Sequence, residues 1–134
     1  MAKIIINTDG ACRGNPGPAA IGVTLKDESG KPLASISRRI GHTTNNQAEY
    51  AALIAALTAA HKLGAREVLV RADSELLVKQ ITGRYRLRNA GLKPLYLEVL
   101  KLRETFSVFT IIYIPREENR EADALANQAL DRPQ

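Results

Sequence analysis

Cysteine and long apolar runs are scarce or missing in this sequence of 134 residues, and each scarcity excludes a class of protein. Cys12 is the only cysteine, so an intrachain disulfide is impossible and a reducing compartment is expected. No stretch offers the roughly 20 consecutive apolar residues that a membrane-spanning helix requires. The first residues also lack the apolar core of a secretion signal. We therefore expect a cytoplasmic protein with no membrane partner.

Negative charge is in the minority, since 19 lysines and arginines exceed 14 aspartates and glutamates and give a formal net charge of +5. This excess favours a polyanionic partner, although many cytosolic proteins are equally basic without binding nucleic acid. Apolar residues make up 45% of the chain, which is typical of a folded globular protein. The length suits one compact domain that covers residues 1–134.

The pattern of apolar residues and turn formers predicts five strands and four helices. Predicted strands cover residues 3–8, 20–26, 33–40, 67–72 and 107–114, and predicted helices cover residues 45–63, 74–82, 94–104 and 119–130. The order is β-β-β-α-β-α-α-β-α, with a turn at Asp9 and Gly10, a tight loop at residues 14–18 and an irregular basic stretch at residues 83–91. Asn119 is expected to cap the last helix. A hairpin meander followed by β-α-β crossovers requires an α/β fold in which helices flank a mixed sheet.

Four acidic residues lie at positions that suggest a binding site. Asp9 and Asp73 each end a predicted strand, and ligands of open α/β sheets bind beyond the carboxyl ends of parallel strands. Glu49 and Asp123 lie on apolar helix faces, where an acid costs desolvation energy unless it is paired or bound to a metal. Taken singly, each acid has an ordinary explanation in turn formation, helix capping or the helix dipole. As four oxygen donors without His or Cys, they favour Mg²⁺ or Mn²⁺ over zinc. Sequence spacing does not show whether they converge.

Four motifs resemble those of the ribonuclease H type 1 family, and the likeness covers nearly the whole chain. The motifs are TDGACRGNPGP at residues 8–18, TTNNQAE at residues 43–49, ADS at residues 72–74 and NREAD at residues 119–123. Each is short, but their order, their intervals and the matching order of elements make the set specific. The resemblance implies a ribonuclease H-like fold with a five-stranded mixed sheet flanked by helices. It also implies an endonuclease that cuts the RNA strand of an RNA–DNA hybrid.

The resemblance further implies roles for individual residues. The catalytic and metal-binding residues would be Asp9, Glu49, Asp73 and Asp123, holding two Mg²⁺ ions with Mn²⁺ as a substitute. Cleavage would leave 5′-phosphate and 3′-hydroxyl ends. Residues in contact with the RNA strand would be Cys12, Gly14, Asn15, Asn45 and Asn46. Residues in contact with the DNA strand or its phosphates would be Thr44, Tyr85, Arg86 and Arg88. Asn45 has a simpler interpretation as a helix cap, and one residue can do both jobs.

The loop before the last acid departs from the family pattern. Many members carry a His there, thought to assist activation of water or release of product, whereas residues 114–118 of this chain read IPREE. The chain therefore resembles the His-less branch of the family. Proton transfer would then fall to water, to Glu118 or to the substrate phosphate.

The second departure concerns the hybrid-binding protrusion, which is a basic helix with interleaved tryptophans in some members. This chain has no Trp and offers GRYRLRN at residues 83–89 instead. If this segment is extended, Arg84, Arg86 and Arg88 would lie on one side and hold DNA phosphates, with Tyr85 against a deoxyribose. The alternative is a solvated loop in which Tyr85 and Leu87 pack into the core. We expect weaker substrate binding than in relatives with the protrusion.

The nearest rival function belongs to another enzyme of the same fold, and two further rivals come from other classes of protein. A junction resolvase or transposase core of the same fold would share the acids but would cut all-DNA duplexes. A non-catalytic binding module would bind a hybrid without metal and leave it intact. A nucleotide-binding domain is set aside, because the glycines of residues 10–17 do not form G-x-G-x-x-G and no Walker-type motif occurs. We expect a monomer whose partner is an RNA–DNA hybrid, and activity on RNA–RNA duplexes stays open.

Overall fold

A computed structural model describes residues 3–132, in which five strands form one mixed sheet with helices on both faces. The strands are β1 (Lys3–Cys12), β2 (Gly17–Lys26), β3 (Pro32–Thr43), β4 (Glu67–Ala72) and β5 (Val108–Tyr113). The helices are α1 (Asn45–Lys62), α2 (Glu75–Ile81), α3 (Lys93–Arg103) and α4 (Arg120–Asp131), with a 3₁₀ turn at Arg116–Glu118. The predicted order of elements and the predicted five-stranded mixed sheet are confirmed.

The sheet combines an antiparallel meander with a parallel half, in the order β3-β2-β1-β4-β5. β1 pairs antiparallel with β2, and β2 pairs antiparallel with β3. β4 pairs parallel with β1, and β5 pairs parallel with β4. Parallel neighbours need crossover connections. Helix α1 connects β3 to β4, and helices α2 and α3 connect β4 to β5. The carboxyl ends of β1, β4 and β5 therefore meet at one edge of the sheet.

Helix α1 is apolar nearly all round because it packs on two sides, against β1 and β2 of the sheet and against α3. Ala52, Ala56 and Ala60 recur at the four-residue spacing of one helix face and are fully buried. Their small side chains let α1 lie close to the sheet. Helix α4 covers β1, β2 and β3 from the opposite face through another row of buried alanines. No helix within residues 3–132 combines the length and the apolar character needed to cross a membrane.

The predicted end of the first strand is wrong. The sequence predicts a turn at Asp9 and Gly10, but β1 continues to Cys12 because residues 9–12 still pair with residues 22–19 of β2. Gly17 and Pro18 likewise belong to β2 rather than to the loop, since they pair with Thr43 and His42 of β3. The parallel pairing of β1 with β4 nevertheless ends at Thr8 and Ala72. Asp9 therefore lies just beyond the parallel ladder, although it does not end the strand.

Candidate active site

Two glycines determine how closely the helices approach the sheet near Asp9. A Cβ at Gly10 would lie 2.5 Å from the backbone of Ala48 and Glu49, so only glycine lets the start of α1 contact β1 here. Gly22 lies opposite Asp9 on β2, and a Cβ there would overlap the carbonyl oxygen of Ala122 in α4. The two glycines therefore allow Glu49 and Asp123 to reach the same edge of β1. Neither was recognised in this role from the sequence, where Gly10 was interpreted as a turn former.

Three carboxylates converge at this edge of the sheet. Asp9, Glu49 and Asp73 each offer an oxygen atom, and these three atoms lie within 4.8 Å of one another. Asp9 and Glu49 are buried, with 6% and 8% of their surfaces exposed. The backbone N–H of Gly10 donates a hydrogen bond to Oε1 of Glu49 and fixes its carboxylate beside Asp9. Three oxygen donors so close together fit a hard divalent cation.

Asp123 lies at the border of this cluster. It shares one cavity with Asp9, Glu49 and Asp73, and its carboxyl group is within hydrogen-bonding reach of Asp9. The side-chain amide of Asn127, one turn later in α4, donates to the Asp123 carbonyl oxygen at 3.0 Å and to its Oδ1 at 3.3 Å. The structure therefore brings all four acids to one cavity, with Asp123 outside the tightest group of three.

Burial and the repulsion of neighbouring carboxylates make the negative forms of Asp9 and Glu49 costly. Burial, followed by the charges of Glu49 and Asp73, raises the pKa of Asp9 from 3.8 to about 9. Burial also raises the pKa of Glu49 from 4.5 to about 8, against the opposing effect of the Gly10 hydrogen bond. A cation held among the carboxylates would relieve this repulsion and favour their ionised forms. The electrostatics of the cluster therefore fit a metal site.

Asp73 does not serve as the cap of α2, the simpler role that the sequence also allowed. The N-cap is Ser74, whose hydroxyl accepts a hydrogen bond from the N–H of Leu77 at 3.2 Å. Asp73 follows the last residue of β4, and its Oδ2 accepts a hydrogen bond from the side-chain amide of Asn119 at 3.1 Å. The carboxylate is therefore free to face the cavity.

Asn119 was predicted to cap α4, and this prediction is wrong for its side chain. Asn119 occupies the N-cap position, but its side chain makes no capping hydrogen bond. It is 1% exposed and turns inward instead, toward Thr8 and Asp73. Sequence reasoning missed this role, because the partners of Asn119 are distant in sequence. Asp73 is 46 positions away and Thr8 is 111 positions away.

The residues of the first two motifs meet beside the carboxylates. Cys12 and Asn45 line the same cavity as the four acids. The Sγ atom of Cys12 lies 2.6 Å from the carbonyl oxygen of Gly14 and 3.1 Å from that of Thr43, so its single thiol proton can be donated to either one. The backbone N–H of Asn45 donates to Oδ1 of Asn15 at 2.9 Å, which ties the loop before β2 to the start of α1.

The first turn of α1 separates capping from the motif asparagines. Thr44, not Asn45, is the N-cap, and it forms a reciprocal capping box with Gln47. Asn45 and Asn46 are exposed at the helix start and free of the capping role that the sequence had also allowed for Asn45. The Thr44 hydroxyl is committed within the protein, since it accepts from the N–H of Gln47 and donates to Oε1 of Gln47, each at 3.2 Å.

The basic segment after α2 lies outside the carboxylate cavity and has no regular structure at residues 86–89. Arg84, Arg86 and Arg88 are exposed, as is 48% of Tyr85. The alternative in which Tyr85 packs into the core is therefore wrong, although Leu87 does pack against the core. Lys79 of α2 donates to the Tyr85 hydroxyl at 3.1 Å and lies 4.7 Å from the centre of its ring. This contact holds Tyr85 at the surface.

The loop before α4 directs Arg116, and not Glu118, toward the carboxylate cavity. Glu118 turns away from the carboxylates, lines a separate cavity and pairs with Arg71 at 3.6 Å. Arg116, two residues earlier in the 3₁₀ turn, lines the carboxylate cavity and lies 3.6 Å from Oδ1 of Asp123. Within residues 3–132, Arg116 is the one cationic side chain that lines this cavity. Proton transfer by Glu118 is therefore disfavoured by its position.

Comparisons with known proteins place this geometry in a family. Residues 7–129 match the sequence model of a family described as reverse transcriptase-like. A protein of Halobacterium salinarum named ribonuclease HI is 46% identical over 123 residues, which are 92% of this chain and 62% of that protein. Three mycobacterial relatives are 43% identical, and the chain spans 36% of their length.

Solved structures agree with the sequence matches. The crystal structure of RNase H1 from Halobacterium salinarum has a TM-score of 0.94 at 44% identity, covering 96% of this chain and 98% of that one. The LC11 RNase H1 crystallised with an RNA/DNA hybrid has a TM-score of 0.91 at 45% identity, covering 96% of each chain. The likeness extends over nearly all of the described fold.

Proposed function

The chain belongs to the ribonuclease H family, and we propose that it is a metal-dependent endonuclease that hydrolyses the RNA strand of an RNA–DNA hybrid. The observation that carries this proposal is the convergence of Asp9, Glu49 and Asp73 within 4.8 Å, with Asp123 on the same cavity. Carboxylates packed this closely would repel both one another and a substrate phosphate unless a cation neutralises them. A binding module without chemistry would gain nothing from such a cluster.

Two Mg²⁺ ions, with Mn²⁺ as a substitute, are the proposed cofactors. Asp9, Glu49, Asp73 and Asp123 would hold them, and the oxygen-only donor set supports magnesium or manganese over zinc. When bound, such ions lower the pKa of an attacking water and stabilise the oxygen that departs, which leaves 5′-phosphate and 3′-hydroxyl ends. Asp9 interacts with each of the other three carboxylates, which supports a central position in this set.

The protein's own residues would position the RNA strand. Asn15 and Asn45 lie side by side next to the acids, with Cys12, Gly14 and Asn46 nearby in the same two motifs. Amide groups both donate and accept, so they can complement a 2′-hydroxyl, which DNA lacks. The relative that was crystallised with an RNA/DNA hybrid supports the same substrate class for this chain.

The DNA strand would lie over the start of α1 and the basic segment. Thr44 would offer its hydroxyl to a phosphate in place of Gln47, and the exposed Arg86 and Arg88 offer positive charge. Lys79 holds the exposed Tyr85 in place by a hydrogen bond and a cation–π contact. Tyr85 could therefore pack on a deoxyribose without first paying the entropy of being ordered.

The proposal is tested with three duplexes, RNA–DNA, RNA–RNA and DNA–DNA, in which each strand is labelled separately. In the presence of Mg²⁺, we expect cleavage of RNA opposite DNA and no cleavage of the DNA strand. Cleavage of DNA–DNA would assign the chain to another nuclease branch of the fold. Binding of hybrid without cleavage in both Mg²⁺ and Mn²⁺ would leave a non-catalytic binding module.

Three properties of the whole protein stay predictions. Residues 1–134 are proposed to form a single ribonuclease H domain, and the protein is proposed to be a cytoplasmic monomer. The lone cysteine suggests a reducing environment, which supports the cytoplasmic location. The monomeric state is checked by sedimentation of the free protein and of its complex with hybrid.

A further inference from the structure

A chain of two side-chain amides runs from the face of the sheet covered by α4 to the candidate metal site. The Asn7 amide donates to Oδ1 of Asn119 at 3.0 Å. The Asn119 amide in turn donates to the Thr8 carbonyl oxygen at 2.9 Å and to Oδ2 of Asp73 at 3.1 Å. Asn119 is 1% exposed, so these contacts replace the water that its amide would otherwise bind.

Asn119 touches the segments that carry three of the four acids. It bonds directly to Asp73, and it bonds to Thr8, the residue before Asp9. Its own carbonyl oxygen accepts the N–H of Asp123 at 3.1 Å in the first turn of α4. One buried side chain and its backbone therefore fix β1, the end of β4 and the start of α4 relative to one another.

The orientation of the Asn119 amide is decided by its neighbours. The Thr8 carbonyl and the Asp73 carboxylate are both acceptors, so they require the NH₂ end of the amide. The reversed amide would direct its oxygen at both of them and leave buried acceptors without donors, which is costly. Asn7 supplies the matching donor on the other side and so favours the orientation in which Asn119 donates to Asp73.

We propose that Asn7 and Asn119 are positioning residues for the metal site, with Asn119 orienting the carboxylate of Asp73 and Asn7 fixing the direction of the Asn119 amide. The inference rests on the proposed function, since it treats Asp73 as a metal ligand. Hydrogen-bonded groups behind a ligand tune metal affinity, and their loss typically reduces affinity or activity by about 10- to 100-fold.

Two substitutions separate the direction of hydrogen bonding from simple packing. Asn119→Asp keeps the shape and the bond from Asn7 but removes the donor that faces Asp73. Asn7→Asp replaces a donor by an acceptor, so Asn119 keeps this bond only if its amide reverses. Asn7→Val removes the donor without rewarding the reversed amide, and it suits a strand position. Thr24→Val, directly opposite Asn7 on β2, is a matched control on the same sheet face.

The experiment measures Mn²⁺ affinity by isothermal titration calorimetry, kcat and KM on an RNA–DNA hybrid, and the melting temperature of each variant. We expect Asn119→Asp to weaken Mn²⁺ binding and lower kcat by about 10- to 100-fold. Asn7→Asp should lose about tenfold in Mn²⁺ affinity and in kcat, whereas Asn7→Val should lose less than about threefold in each. KM should change by less than about twofold, because the asparagines of the RNA-contacting motifs are untouched. Thr24→Val should match the parent protein in Mn²⁺ affinity and kcat.

Several results would overturn the proposal. It fails if folded Asn119→Asp and Asn7→Asp bind Mn²⁺ as tightly as the parent protein. It also fails if Asn7→Val loses as much as Asn7→Asp, because the direction of the donor would then be irrelevant. If Asn119→Asp does not fold, the comparison of the two Asn7 variants decides. A parent protein that neither binds Mn²⁺ nor cleaves hybrid would contradict the proposed function itself. An active parent protein with unaffected variants would contradict only the positioning roles.

Discussion

The backbone N–H of Gly10 donates to the Glu49 carboxylate, and this hydrogen bond links β1 to α1 beside Asp9. The hydrogen bond requires a glycine, because a Cβ at position 10 would lie 2.5 Å from the α1 backbone at residues 48 and 49. A residue that looks like a turn former in the sequence therefore sets the distance between two of the candidate metal ligands.

Gly10→Ala should damage activity more than stability. Overpacking of this kind costs about 1–3 kcal/mol, and the shift of α1 would withdraw Glu49 from the cluster. We expect kcat on hybrid to fall by at least about tenfold, since small misplacements of catalytic groups can cost about 100-fold. Chemical denaturation and steady-state kinetics measure the two effects.

Gly30→Ala is the control for this variant. Gly30 has a φ of +88° and no atom within 4 Å of its Cβ position, so alanine there strains only the backbone of the distant hairpin. Its kcat should remain that of the parent protein. Equal losses of kcat in the two variants would show that general destabilisation, not the position of Glu49, explains the effect of Gly10→Ala.

The metal-free protein should lose stability as the pH rises. Burial and repulsion raise the pKa of Asp9 to about 9 and that of Glu49 to about 8, so the folded protein binds these protons more tightly than the unfolded chain does. Their stabilising contribution is complete below the ordinary values of 3.8 and 4.5, and it is lost as the pH rises through about 8 to 9.

Melting temperatures measured in EDTA between about pH 5 and about pH 9 check this prediction. Mg²⁺ should reverse the decline, with a larger gain at high pH than at low pH. Asp9→Asn removes one of the two titrating groups, so it should flatten the slope of melting temperature against pH. A slope identical to that of the parent protein would contradict the assignment of these pKa values.

Arg116 should contribute to turnover, whereas Glu118 should not. Arg116 lines the carboxylate cavity, where its charge can stabilise negative charge that develops on the substrate. Its side chain is 80% exposed, so we expect Arg116→Ala to lower kcat by about tenfold, less than the roughly 100- to 1000-fold typical of an enclosed donor. Glu118→Gln should leave kcat and its pH profile unchanged, because Glu118 pairs with Arg71 away from the cavity. The opposite result would restore Glu118 as the proton-transfer group.

Replacing Arg84, Arg86 and Arg88 by Gln should weaken hybrid binding and flatten its dependence on salt. Each lost phosphate contact reduces the slope of log affinity against log salt by about 1. Fluorescence anisotropy at several salt concentrations, in Ca²⁺ to prevent turnover, measures the slope. A control with equal loss of charge replaces three exposed cations at other positions: Lys62, Arg66 and Lys101. An unchanged slope in the first variant would end the phosphate role of this segment.

The fold was largely predictable because turn formers and helix caps mark most of its element boundaries. Helix α1 begins with a polar cap and runs through alanine and leucine toward Gly64, and the strands are rich in branched residues. The end of β1 was not predictable from local signals, because Asp9 and Gly10 are turn formers that pairing with β2 holds in a strand. Long-range pairing overrides local preference at this position.

The candidate site was predictable only as a set of residues. Local patterns singled out Asp9, Glu49, Asp73 and Asp123, and the family resemblance grouped them, but spacing could not show that they converge. The contributions of Gly22 and Asn119 stayed hidden, because they depend on what packs against each residue rather than on its neighbours in sequence. The role of Asn119 is a prediction that the variants of Asn7 and Asn119 test.

Asp9→Asn on an RNA–DNA hybrid tests the central claim most directly. The parent protein and the variant are compared for Mg²⁺-dependent cleavage of the labelled RNA strand, for hybrid affinity and for melting temperature. We predict that the variant loses at least about 1000-fold in cleavage rate, which corresponds to about 4 kcal/mol of transition-state stabilisation. It should keep its fold and its hybrid affinity. Near-full cleavage by Asp9→Asn would contradict a metal-dependent mechanism built on this carboxylate cluster.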